Sequence, residues 1–368
     1  MRSTPRRLTT LLMGVFLCFT SAGAEQVWLS GNPLKTNFLN RILQERGWTD
    51  LPSGPLLPGE SWSNDSGQTV VNVDWKAPTA SVAALSDHPE KVERTGGLFF
   101  GGLIALRTLN FQYYHLGKLQ GPSPNLSLVV MNPGNRDALL YMRRGVGKPS
   151  LDYFSTGHTN NTQWYEALAD NLGEFIEIPA GQTSMIFEQE LKPEYVVSGT
   201  LGLTLVEGPP LQFAFIARKG QESPSFNNLL KEDDVHSRGF YPAPYQILKR
   251  TFTIGDPPLN MPIGAVRQQT FSGVRELRGD YGVFYQLDLT IKNPSDQPAK
   301  ASLLFNPRGG AATGTVLLND EVIEVPRTEA FAEKHLREFE VPALSSVELK
   351  IETIPEGASS YPVRMVVK

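Results

Sequence analysis

From about residue 88 to the end, the chain alternates apolar and polar residues in short runs broken by glycine, proline, asparagine or aspartate. A period of two places alternate side chains on opposite faces, so these runs predict half-buried β-strands. Residues 98–106 form an apolar run interrupted by Gly101 and Gly102, which suits a buried strand with a bulge or sharp bend. Further strands are expected at 111–115, 126–131, 138–142, 175–178, 184–190, 201–206 and 211–216. A second series follows at 283–291, 301–305, 316–318, 322–325, 338–341, 347–351 and 363–367, with Asn319-Asp320 as the turn of one hairpin. Helical spacing is clearest at 35–46, where Phe38, Leu39, Ile42 and Leu43 lie between a candidate N-cap, Asn37, and Gly47. Pro52, Gly54, Pro55, Pro58 and Gly59 then predict an extended strap. Residues 145–172 are polar and irregular and read as a long loop inside a β-unit. Residues 223–238 read as a connector, with a short helix around Phe226, Leu229 and Leu230.

Two passages echo each other. Leu128-Val129-Val130-Met131-Asn132-Pro133-Gly134 returns as Leu289-Thr290-Ile291-Lys292-Asn293-Pro294-Ser295, so that Asn132 corresponds to Asn293. Downstream of each, Glu177-Ile178-Pro179-Ala180 matches Glu340-Val341-Pro342-Ala343. The closing run at 363–367 is expected to correspond in the same way to 211–216. Self-similarity over a domain-sized interval is the mark of a duplicated folding unit. The expected fold is therefore mainly β: two related antiparallel β-sandwich units in tandem, preceded by a short helix and an extended Pro/Gly-rich segment. The boundaries expected are a signal peptide at 1–24, an N-terminal helix and strap at 25–87, a first unit at 88–221, a connector at 222–239 and a second unit at 240–368.

The front of the chain adds a location. Arg2, Arg6 and Arg7 precede an apolar run at 11–19 and an Ala22-Gly23-Ala24 cleavage site, which predicts export with a mature start at Glu25. That run is shorter than the ~20 apolar residues needed to span a bilayer, and no later run is long enough. Cys18 is the only cysteine and lies in this leader, so the mature chain is expected to lack disulfides and thiolate chemistry. Without the leader's three arginines, the 34 basic residues fall to 31 against 38 acidic ones, a net −7. That balance, with no basic stripe, argues against nucleic-acid binding.

Candidate chemistry is sparse. Trp164 and Tyr165, with Asn160 and Asn161, form the best candidate ligand surface, because aromatic faces and amides suit sugar rings. Trp28, Trp48, Trp62 and Trp75 read as packing residues. Histidines 88, 115, 158, 236 and 335 are scattered, and Asp233, Asp234 and His236 are a weak metal candidate. Arg278-Gly279-Asp280 matches an adhesion tripeptide, against which stands the plainer reading of a turn between strands. No serine-nucleophile elbow or phosphate loop is present, no carboxylate pair is marked for glycoside hydrolysis, and no cofactor is implied.

The segments His88-Pro89-Glu90-Lys91-Val92-Glu93-Arg94-Thr95-Gly96-Gly97-Leu98-Phe99, Met131-Asn132-Pro133-Gly134, Ile178-Pro179-Ala180-Gly181 and Gly279-Asp280-Tyr281-Gly282-Val283-Phe284-Tyr285 occur in an order that resembles an uncharacterised family of exported, β-rich bacterial proteins. That family is known chiefly from cyanobacteria, and the resemblance covers about residues 88–368. It implies a fold and no catalytic residues, and it implies a structural turn at Arg278-Gly279-Asp280. The expected function is an exported, non-catalytic binding or structural protein of the cell envelope or extracellular space. Its expected partners are cell-surface polysaccharide or envelope proteins. The alternative is a carbohydrate-active enzyme with a cleft between the two units.

Overall fold

The computed structural model describes residues 81–368 except 104–107, 120, 122, 171, 221–228, 232–234, 242–244, 267 and 270–275. Before residue 81 it describes only two paired strands, β1 (Ser61–Ser63) and β2 (Thr69–Val71). The expected leader, the helix expected at 35–46 and most of the expected strap lie outside the described residues, as do Asp233, Asp234 and the side chains of Trp28, Trp48, Trp62 and Trp75.

The described chain is mainly β. In order come β3 (Ser81–Ser86), β4 (Lys91–Val92), β5 (Gly96–Leu103), β6 (Thr108–Gly117), β7 (Asn125–Met131), β8 (Ala138–Val146), α1 (Tyr153–Ala169), β9 (Glu174–Ile178), β10 (Thr183–Glu190), β11 (Val196–Glu207) and β12 (Leu211–Arg218). These build a sandwich: a four-stranded sheet, β10-β7-β12-β5, faces a larger one ordered β13-β3-β6-β11-β8-β9, with β4 beside β6. Leu98, Phe111, Leu128, Leu140, Leu201, Phe213 and Phe215 interlock between them, fully buried. A bulge is present in β5, but at Leu98, where the register against β12 shifts, and not at Gly101 and Gly102, which pair regularly with Phe213 and Gln212.

The second series runs β13 (Arg238–Tyr241), β14 (Tyr245–Thr253), β15 (Leu259–Ile263), β16 (Gln268–Gln269), β17 (Glu276–Leu277), β18 (Phe284–Asn293), β19 (Ala299–Pro307), β20 (Ala312–Leu318), β21 (Glu321–Thr328), β22 (Lys334–Val341), β23 (Ser345–Thr353) and β24 (Val363–Val367). A five-stranded sheet, β14-β18-β23-β20-β21, faces a four-stranded one, β15-β24-β19-β22. Most pairs are antiparallel, as expected, but β3 and β4 run parallel to β6, and β14 runs parallel to β18.

The sequence echo has a physical cause. The Asn-Pro turn reads as a hairpin, but β7 and β8 belong to different sheets, as do β18 and β19, so each turn is an arch that crosses the sandwich. In the first arch the buried Asn132 amide donates to Arg136 O (2.8 Å) and Ile178 O (2.9 Å), and its oxygen accepts from Gly134 N (2.9 Å). In the second, Asn293 donates to Gln297 O (2.8 Å) and Val341 O (3.0 Å) and accepts from Ser295 N (3.0 Å). One side chain thus ties the Asn-Pro echo to the Pro-Ala echo. An asparagine amide supplies two donors and an acceptor from one short side chain, which is what an arch with inward-pointing carbonyls requires.

Four expectations change. The third echo does not hold: β24 pairs with β19, the post-arch strand, whereas β12 pairs with β7, the pre-arch strand, so β24 takes the place of β11. The first sheet begins at Ser81 rather than 88, because β3 pairs with β6, and Arg238–Tyr241 pairs with β3. That shared ribbon sends Ala84 into the first core and Ala83, Leu85 and Tyr241 into the second. Leu229 bridges Gly97 and Leu230 N donates to Gly97 O (2.9 Å), so these connector residues are extended rather than helical.

The largest change is α1, which replaces the expected loop at 145–172. Asp152 caps it by accepting from Phe154 N at 3.1 Å. Its buried residues are Thr156, Gly157, Asn160, Asn161, Thr162, Trp164, Tyr165 and Ala167. The spacing is helical, but the residues are mostly polar, so a search for apolar periodicity passes over it. Polar residues suit that face because α1 lies across β8 and β11 on the outside of the larger sheet, against Gly145, Ser198 and Gly202 rather than leucines, and turns its other side to the second unit.

Candidate functional site at the junction

Helix α1 is where the two sandwiches meet. A Cβ built on Gly157 would lie 2.0 Å from Gly357 O, so only glycine lets the helix backbone approach the 354–362 segment this closely. Asn161 Nδ2 donates to Ile354 O at 2.7 Å, and the Thr162 hydroxyl lies 3.2 Å from that of Thr315 on β20. Trp164 stands edge-on to Phe284 with ring centroids 5.7 Å apart, in a cluster with Tyr165, Leu317 and Ile354.

One turn away is the junction's charged centre. His158 Nδ1 lies 3.2 Å from Glu356 Oε2, and Nε2 lies 3.1 Å from Glu324 Oε2 on β21. Glu356 is fully buried, and its carboxylate also accepts from Thr313 Oγ1 (2.5 Å) and Thr315 Oγ1 (2.8 Å). Both ring nitrogens face acceptors, and only the doubly protonated ring can donate to both. Burial disfavours that charge, but the hydrogen bond and attraction of Glu356, joined by Glu324, outweigh it and raise the His158 pKa. The carboxylates address opposite edges of the ring, so they do not converge on one point. Among the described residues no cluster of histidine, cysteine, aspartate and glutamate is placed to hold a metal.

Next to this centre lies a neutral polar layer. On β6 and β11, Asn110, Gln112, Thr200 and Gly202 face outward, Gln112 opposite Thr200 and Asn110 opposite Gly202. Trp164 packs on Gly202, Asn160 donates to Ser198 Oγ (3.3 Å), and Gln112 abuts Gly282 of the second unit. Asn110 Nδ2, both polar atoms of the Gln112 amide, Thr200 Oγ1, Asn160 Oδ1 and Trp164 Nε1 are all buried without a hydrogen-bond partner.

The candidate ligand residues are therefore brought together, but inside the closed junction. Trp164, Tyr165, Asn160 and Asn161 are buried and present no open stacking surface in this conformation. Sequence reading missed Glu356, Glu324, Thr313 and Thr315, which are unremarkable until strand pairing sets them opposite His158. Of the weak metal set, His236 is described, and its Nε2 lies 2.6 Å from Glu90 Oε2. The Asp280 of the adhesion-like tripeptide is buried at φ 53° and accepts from the Tyr285 hydroxyl, so its carboxylate does not face solvent.

A second polar pair lies in the first unit. His115 Nδ1 donates to Pro89 O (2.9 Å), leaving Nε2 to accept from the Ser86 hydroxyl (3.0 Å). Burial above all lowers this histidine's pKa to about 4. Ser86 and His115 are both fully buried, so the pair fastens β3 to β6 and meets no substrate.

No family model matches the chain, and no curated protein does. Among solved structures, the PBSX exported protein XepA aligns over 87% of this chain and 99% of its own length at 12% identity, with a TM-score of 0.17. Penaeus vannamei nodavirus aligns over 67% and 82% at 11% identity and a TM-score of 0.16. The multicopper oxidase Fet3p aligns over 71% and 52% at 8% and 0.12. Scores this low bear on neither fold nor function. The chain's single cysteine permits no internal disulfide, and no described helix is long and apolar enough to cross a membrane.

Proposed function

We propose that the protein is exported through its N-terminal leader and acts in the cell envelope or outside the cell as a non-catalytic binding or structural protein. Cell-surface polysaccharide is its foremost partner and another envelope protein the next. The observation that carries this reading is the filled junction. A glycosidase needs two carboxylates facing each other across an open cleft, roughly 5–9.5 Å apart. Here the junction carboxylates of Glu356 and Glu324 are spanned by one imidazole, and Trp164 lies beneath Phe284. The leader's basic, apolar and small-residue zones support export.

The test is fractionation of producing cells combined with glycan-array binding and a hydrolysis panel on the mature protein. The expected result is an extracytoplasmic protein that binds without cleaving. Turnover of a glycan or peptide, abolished by Glu356→Gln or His158→Gln in a folded variant, would replace this reading with the enzymatic one.

A further inference from the structure

We propose that the polar layer under α1 is a closable binding site for a neutral, hydroxyl-rich chain, an uncharged polysaccharide strand, which enters when the second sandwich moves off the helix. This rests on the binding function proposed above and names its surface and ligand class.

Buried polar atoms are almost always paired, so each exception calls for an explanation. Six such atoms occur here on five residues, Asn110, Gln112, Asn160, Trp164 and Thr200. They are not scattered. Asn110 and Gln112 are two apart on one face of β6, Thr200 faces Gln112 on β11, and Trp164 covers Gly202, opposite Asn110. Same-face neighbours in a sheet are about 5–7 Å apart, so the layer spans about one sugar ring. These atoms are also shut off from water, so in the closed state they lose hydration and gain no partner in return. Opening the junction restores their hydrogen bonds, and a ligand that donates and accepts at once satisfies them.

The chemistry selects the ligand. The layer offers amide and indole donors with amide and hydroxyl acceptors, and none of its five residues is charged. The one charge bordering the layer is Arg143, opposite Gly202, whose Nε is engaged by Leu172 O (3.0 Å), whereas sugar hydroxyls can donate to and accept from the layer itself. The Trp164 ring, released from Phe284 by opening, suits the apolar face of a pyranose.

Closure is held by the apolar cluster of Trp164, Tyr165, Phe284, Leu317 and Ile354 and by polar contacts, of which the titratable one is His158 between Glu356 and Glu324. The groups around this histidine are Glu356 with its Thr313 and Thr315 partners, Glu324 on β21, and Thr162 on α1, which contacts both Thr315 and Glu324. Loss of the proton leaves the Glu356 carboxylate buried without a cation, which favours the open state.

The experiment measures binding of neutral, anionic and cationic oligosaccharides to the mature wild-type protein, to Glu356→Gln and to Gln112→Ala/Asn160→Ala. Near-UV circular dichroism checks each fold, and hydrogen exchange follows strands β6 and β11 and helix α1. The neutral strand is expected to bind and to protect α1 and residues 198–202. Glu356→Gln or a pH above the His158 titration should tighten binding several-fold, and the double variant should lose about tenfold or more. Two results would overturn the proposal: a neutral strand whose affinity is unchanged in the folded double variant, or no neutral strand bound by either wild type or Glu356→Gln. If an anionic glycan or a protein binds elsewhere, this site assignment falls and the broader binding function stands.

Discussion

The two arches are nearly superimposable in chemistry, while the segments that follow them share nothing. After β8 the first unit inserts helix α1; at the same place, after β19, the second inserts the β20–β21 hairpin. These unlike insertions pack on each other, Thr162 against Thr315 and His158 against Glu324. The two sandwiches agree in what each needs to close and differ where they meet. Even the arches show it: Gly134 is required because a Cβ there would lie 2.2 Å from Pro209, whereas its counterpart Ser295 uses the space to hydrogen-bond Gln297 O at 2.7 Å.

The strongest way to break the comparison is to remove the arch amides. Asn132→Ala and Asn293→Ala each remove the amide donor to one buried carbonyl, Ile178 O or Val341 O, and to a more exposed one, and each should cost roughly 3 kcal/mol in urea unfolding. Costs differing by more than about a factor of two would show that the arches are alike in geometry but not in weight.

The two histidines sharpen the contrast between unit and junction, because they respond to pH in opposite directions. His115 has a folded pKa near 4, below its unfolded value of 6.5, so its stabilisation is present above pH 6.5 and is lost as pH falls toward 4. That loss amounts to roughly 3 kcal/mol. His158 has a raised folded pKa, so its contribution is present below pH 6.5 and is lost as pH rises through the raised value. Thermal melts of His115→Phe should lose the acid limb alone, and those of His158→Gln the alkaline limb alone.

At the junction itself, Gly157→Ala forces α1 away from Gly357 and should destabilise by about 2 kcal/mol, net of alanine's better helix propensity. Faster hydrogen exchange confined to α1 and residues 354–359 would place the damage between the units. Exchange that speeds up uniformly would contradict a separable junction. The smallest effect compares the Pro-Ala turns. Gly181 sits at φ 68° and its counterpart Leu344 at φ 51°, a left-handed position that suits glycine. Leu344→Gly should therefore cost little or stabilise by up to about 1 kcal/mol, in contrast to glycine's usual penalty. A loss above 1 kcal/mol would mean that the exposed leucine packs usefully.

Much of this fold was legible because local rules wrote it. Period-two runs marked the strands, Asn319-Asp320 marked the β20–β21 turn with both residues at positive φ, and the Asn-Pro echo marked the duplication. The errors came where partners are remote. The Asn-Pro arch resembles a hairpin until the sheet of each strand is known, and α1 resembles a loop because its buried face is polar. Of the site, Trp164, Tyr165, Asn160, Asn161 and His158 could be picked out by residue type, but Glu356 and Glu324 could not. Glu356 lies 198 residues beyond His158, and no local pattern encodes that meeting.

The sequence alone determined the strand content, the repeated Asn-Pro turns and the single cysteine, since each depends on residues close in the chain or on composition. Only the tertiary structure decided that the repeat's insertions become one interface, that Asp280 points inward, and that a neutral polar layer is closed beside a buried ion pair. The reason is physical: alternation and turn chemistry act over a few residues, whereas burial of a charge or an amide is set by whatever distant strand the sheets bring against it.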